Sequence, residues 1–109
     1  MDTEFTELPA CETCKIIDFS ETEIRPGTVN DTYILFVSGT KPHRNMDVRL
    51  IPRVHFTRPQ YWGIEVVGCL SRISLPTKGP YEAMIPLDGI RGMKGVEVIG
   101  ASSSKEIKI

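Results

Sequence analysis

No stretch of this chain approaches the ~18 apolar residues that a membrane-crossing helix needs. The longest uncharged apolar run, Tyr33 to Val37, is strand-sized. Helical windows are scarce as well. Eight prolines and nine glycines are spread so evenly that few windows of about a dozen residues escape a breaker. The opening residues, MDTEFTELPACETC, are acidic and lack a basic start followed by a long apolar segment, so no secretory signal is visible. The three cysteines, Cys11, Cys14 and Cys69, are an odd number, which fits a disulfide framework poorly. Together these absences point to a reducing, cytoplasmic setting and no membrane partner.

Catalytic patterns are missing too. There is no G-x-S-x-G elbow, and no cysteine-protease sequence surrounds Cys69. The glycine-spaced Gly89-Ile90-Arg91-Gly92-Met93-Lys94-Gly95 fits neither phosphate-loop pattern, and no helix follows it. It reads as a flexible connection between strands. The two histidines, His43 in a charged loop and His55 between Val54 and Phe56, read as structural or surface residues. No cofactor is implied, and the chain is expected not to be an enzyme.

What is present is a globular composition. The chain is 40% hydrophobic and 25% charged, ordinary proportions for a folded domain. Its 109 residues suffice for one domain with a modest core and no staples. Residues 1–12 read as an acidic, mobile lead-in and residues 13–109 as the domain.

The most informative pattern is a repeat. Residues 63–71 read GIEVVGCLS and residues 95–103 read GVEVIGASS. β-Branched residues flank one carboxylate in each copy, Glu65 and Glu97, with glycines at the ends. This is how a strand covered on both faces is written. Both copies are expected as central strands, with Val66 and Val98 in the core. The copies fall in strands expected at Tyr61–Cys69 and Val96–Ile99. Further strands are expected at Lys15–Phe19, Thr32–Ser38, Met46–Ile51, Tyr81–Pro86 and Glu106–Ile109, with Arg53–Thr57 as a separate short strand or edge segment. Turn-forming residues such as Arg25-Pro26-Gly27 and Asn30-Asp31 separate them. About seven to eight short strands at this spacing predict an all-β sandwich or small barrel, with an immunoglobulin-like sandwich as the preferred form.

Charge is segregated along the chain. Residues 1–31 carry a net charge of −6 and residues 41–78 a net charge of +5. Such halves either attract each other or attract an anionic partner. Arg44, Arg49, Arg53 and Arg58 interleave with Phe56, Tyr61 and Trp62, the ingredients of a single-stranded nucleic-acid groove over residues 43–62. A sequence pI near 6.1 and the acidic first third weigh against it, and pairing with Asp18, Glu21 or Glu23 is the simpler reading.

Cys11-Glu12-Thr13-Cys14 is half of a zinc site. Thiolates two residues apart can grip one ion, but a complete set needs two more ligands, so no metal is expected. The expected function is a protein-interaction or self-assembly module, with polyanion binding and zinc binding as alternatives. If the domain holds a ligand, Arg53, Arg58, Tyr61 and Trp62 are the residues expected to hold it. They place two guanidinium groups and two rings around a proline-stiffened turn. Tyr61 and Trp62 are adjacent, so in a strand they face opposite sides.

Overall fold

The computed structural model describes residues 13–70 and 77–109. The acidic lead-in expected over residues 1–12 lies outside them. Among the described residues there is no helix, and eight strands form two sheets that make a small β-sandwich. The strands are β1 (Thr13–Ile16), β2 (Glu21–Pro26), β3 (Tyr33–Lys41), β4 (Asp47–Pro52), β5 (Tyr61–Leu70), β6 (Gly79–Pro86), β7 (Gly95–Ile99) and β8 (Ser104–Lys108).

In the first sheet β5 is central. β4 runs antiparallel along one edge. The other edge is shared end to end: β7 pairs parallel with Tyr61–Glu65, and β1 pairs antiparallel with Val67–Leu70. β8 closes that side against β7. The second sheet is β2-β3-β6, all antiparallel.

The two copies of the repeat are therefore neighbours. Their register is Gly63 opposite Glu97, Ile64 opposite Val98 and Glu65 opposite Ile99. This is two residues away from aligning like with like. A shift of two preserves the faces of both strands, whereas a shift of one would invert them. It also keeps Glu65 from lying directly beside Glu97, where like charges would repel. Val66 and Val98 are both 0% exposed. They pack with Ile17, Leu35, Val37, Ile64 and Val96 between the sheets.

Two departures from the expected strands have physical causes. β2 reads Glu-Thr-Glu-Ile-Arg-Pro, with only Thr22 and Ile24 turned inward. It is an edge strand, where charge and a terminal proline are tolerated. Arg53–Thr57 alternates like a strand but is a loop, because Val54 and Phe56 have no sheet to cover.

The cysteines require a correction. Cys14 and Cys69 lie opposite each other in β1 and β5 and form a disulfide. Ile17 N–H donates to Val66 O at 2.9 Å, so Ile17 and Val66 form a hydrogen-bonded pair. Three steps along, Cys14–Cys69 is a non-hydrogen-bonded pair, in which the Cα atoms approach most closely. Their separation is 4.1 Å. An odd cysteine count does not preclude one bridge. This one lies within a sheet rather than between the two sheets.

Candidate functional site

Strand direction gathers three connections at one end of the sandwich. β2 ends opposite the start of β3 (Pro26 with Tyr33), and β6 ends there as well (Pro86 with Ile34). In the first sheet β4 ends where β5 and β7 begin (Pro52 with Ile64, Tyr61 with Gly95). The β2–β3, β4–β5 and β6–β7 loops thus meet, and all three line a cleft of about 510 Å³.

Each loop is held by its own hydrogen bonds. In the β2–β3 turn, Gly27 N–H donates to Thr32 O at 2.9 Å and Thr32 N–H to Val29 O at 3.2 Å. Asp31 has φ 65°, the left-handed region that aspartate tolerates better than most residues. In the β4–β5 loop, Arg53 N–H donates to Gly63 O at 2.8 Å, and the Trp62 indole donates to Arg53 O at 3.0 Å. His55 stands edge-on to Trp62 with centroids 5.0 Å apart, and its Nε2 accepts from Gly63 N–H at 3.4 Å. With His55 turned in, its neighbours are turned out. Val54 is 87% exposed and the Phe56 ring is wholly exposed.

Arg58 lashes this loop to the next. Its Nε donates to Arg91 O at 2.9 Å and its Nη2 to Gly92 O at 3.1 Å. Met93 N–H donates to Pro59 O, and Lys94 N–H to Gln60 O, both at 2.8 Å. The Arg91 guanidinium lies 5.2 Å from the centre of the Tyr33 ring, within cation–π range. Asp31, Arg58, Asp88 and Arg91 all line the cleft. None of the four forms an ion pair among the described residues.

Of the four residues expected to hold a ligand, the cleft brings together Arg58 and Trp62. Arg53 and Tyr61 lie elsewhere. The Arg53 Nε is bonded to Glu65 Oε2 at 2.9 Å, and its side chain crosses Gly63, where an added Cβ would lie 3.0 Å from Arg53 Cδ. Tyr61 faces the opposite side of β5 from Trp62, as adjacent strand residues must. The basic stretch 43–62 is divided as well. His43 and Arg44 precede β4, Arg58 follows it, and Arg49 and Arg53 are engaged with Asp47 and Glu65. Asp18 and Glu23, two of the partners expected for those bases, bond instead to Ser102 and Arg25.

Asp31, Tyr33, Asp88 and Arg91 belong to the cleft without having been singled out as ligand residues. The turn pairs Asn30-Asp31 and Asp88-Gly89 announce two loops; only the strand pairing brings them together. Cys14 has its sulfur committed to Cys69, so it is not a free thiolate for a metal, and Cys11 lies outside the described residues. Among the described residues no group of three or more His, Cys, Asp or Glu side chains is placed to hold a metal ion.

No protein-family model, curated protein or solved structure matches this chain. The three loops that line the cleft are each held by hydrogen bonds. Loops fixed by hydrogen bonds on a rigid sandwich lose little entropy when a ligand arrives.

Proposed function

We propose that this chain is a non-catalytic binding and assembly module that engages a protein partner, or a second copy of itself, through its three-loop end. The observation that carries this reading is the wholly exposed Phe56 ring. It projects beside Val54 from a loop whose two flanks are tied down through Arg53 and Arg58. Exposed Val29 and Met93 lie on the adjoining loops. Exposed apolar tips on three loops that meet at a cleft lined by arginine and aspartate have the composition of an interface anchor.

Strand addition at the C-terminal edge is the weaker route to assembly. β8 presents Lys105, Glu106 and Lys108 to solvent, and charged edges of this kind resist pairing with a neighbouring sheet. The disulfide supports an oxidising setting rather than the cytoplasmic one expected from the cysteine count, since such bonds are rare where glutathione keeps thiols reduced. Among the described residues no helix is long and apolar enough to cross a membrane.

The test is complex formation by the tagged full-length chain, read by co-purification and by sedimentation. Phe56→Asp is expected to abolish the complex, hetero- or homomeric, with the melting temperature unchanged. Glu106→Arg on the β8 edge is expected to leave it intact. Retention of the complex by Phe56→Asp would remove the reading.

A further inference from the structure

We propose that the cleft between the three loops takes a neutral, polyhydroxylated ligand: a sugar unit of a glycan. The inference rests on the reading of the loop end as the binding face and adds a ligand for the cleft itself, beside the protein contact at the Phe56 tip.

The charges come first. Asp31, Asp88, Arg58 and Arg91 line one cleft and sum to zero. A polyanion gains from the arginines what the aspartates take back, and a cation meets the reverse. Exposed charges gain little by pairing, and these four do not pair with one another. Two acceptor-only carboxylates and two donor-only guanidinium groups are thereby left for whatever enters. A carboxylate ligand satisfies only the arginines, and an ammonium only the aspartates. A hydroxyl both donates and accepts, so vicinal hydroxyls can satisfy both kinds at once.

The cations are also fixed in place. Two hydrogen bonds to carbonyls hold Arg58 while leaving it further N–H groups, and Arg91 lies against Tyr33. Polar groups held this way select by geometry rather than by net charge. The remaining wall includes the Trp62 ring with His55 edge-on to it. Flat apolar faces suit the C–H face of a sugar ring while its hydroxyl edge meets the charged groups. A volume of about 510 Å³ falls within the range of small-ligand sites. The oxidising setting indicated by the disulfide is one in which secreted and cell-surface glycans are encountered.

Trp62 is the only tryptophan of the chain and lines the cleft, so its fluorescence reports occupancy. The full-length chain is titrated with neutral oligosaccharides of glucose, galactose, mannose, xylose and N-acetylglucosamine. An oligothymidylate and a glutamate-rich peptide are run in parallel, each at low and high salt. At least one saccharide is expected to bind, with an affinity that changes less than about twofold with salt, because no counterions are released. Asp88→Asn and Arg91→Ala are each expected to weaken it about tenfold or more, the cost of losing a hydrogen bond to a charged group. Their melting temperatures should be unchanged.

The inference is overturned if no saccharide of the panel binds, if the variants bind as well as the native chain, or if the oligonucleotide or peptide binds instead with steep salt dependence. Loss of the complex in Phe56→Asp together with an absence of saccharide binding would leave the binding face standing and remove only its sugar chemistry.

Discussion

At the end of the sandwich where β2 and β6 begin, surface polar groups bond to one another. Asp18 Oδ1 accepts from the Ser102 hydroxyl at 2.7 Å and from Ser102 N–H at 2.9 Å. The hydroxyl bond first, then the backbone bond, hold the Asp18 carboxyl below its ordinary range. Tyr81 donates to Asp18 O at 2.7 Å, tying β6 to the β1–β2 connection. Burial, with a contribution from the Asp18 charge, pushes the phenol up to about 12. At the end where β3, β5 and β7 begin, the treatment is opposite. Two carboxylates and two guanidinium groups line an open cleft without pairing, and a phenylalanine ring stands in water. At the first end Asp18, Ser102 and Tyr81 bond to one another, while the buried Thr22 hydroxyl at the start of β2 is left without a partner among the described residues. At the second end the charged groups face solvent. Exposed charges need no partner inside the fold, so leaving those of the second end unpaired costs the fold little and keeps them open to a ligand.

Substitutions can break this contrast or sharpen it. The largest effect is expected from Cys14→Ser with Cys69→Ser. The bridge closes a sequence separation of 55 residues, and chain entropy alone puts its loss at about 4 kcal/mol, within a usual range of about 2–5 kcal/mol. Denaturant titration measures it, and reductant should reproduce it. Next come Val66→Ala and Val98→Ala, each expected to cost about 1–3 kcal/mol through lost burial and a residual cavity.

Tyr81→Phe is expected to cost about 1 kcal/mol by leaving the Asp18 carbonyl without its partner. It should also change the alkaline limb. A phenol raised from its ordinary value of 10.0 to about 12 by folding contributes stability that is complete below pH 10 and is lost as pH rises through about 12. The variant should lack that decline, and melting curves across this window decide the point.

The smallest effects belong to the second end. Phe56→Ser and Arg91→Ala should shift stability by less than about 0.5 kcal/mol, because neither side chain is buried in the core. A large loss at either position would mean that the loop end is structural after all.

The all-β class and the central strands were legible because β-branched runs bounded by glycine and proline have few alternatives. The repeat located β5 and β7, and alternation placed Val66 and Val98 inside. β2 was not legible, since an edge strand with two inward residues resembles a polar loop. The disulfide was hidden because pairing depends on β1 lying against β5, which no local pattern encodes. The cleft was half legible. Proximity in sequence grouped Arg53, Arg58, Tyr61 and Trp62, but strand alternation sends Tyr61 and Trp62 to opposite faces, and Glu65 holds Arg53. Asp31, Asp88 and Arg91 join only through topology.

The central claim, that the three-loop end is the contact surface, is tested most directly by placing a photo-activatable residue at single positions of the full-length chain. Positions 29, 56 and 93 report on the loop tips; positions 23, 84 and 106 report on the sheet faces and the β8 edge. Cross-links at the first three positions, with none at the others, are the expected result. Cross-links confined to positions 23, 84 or 106, with 56 silent, would contradict it.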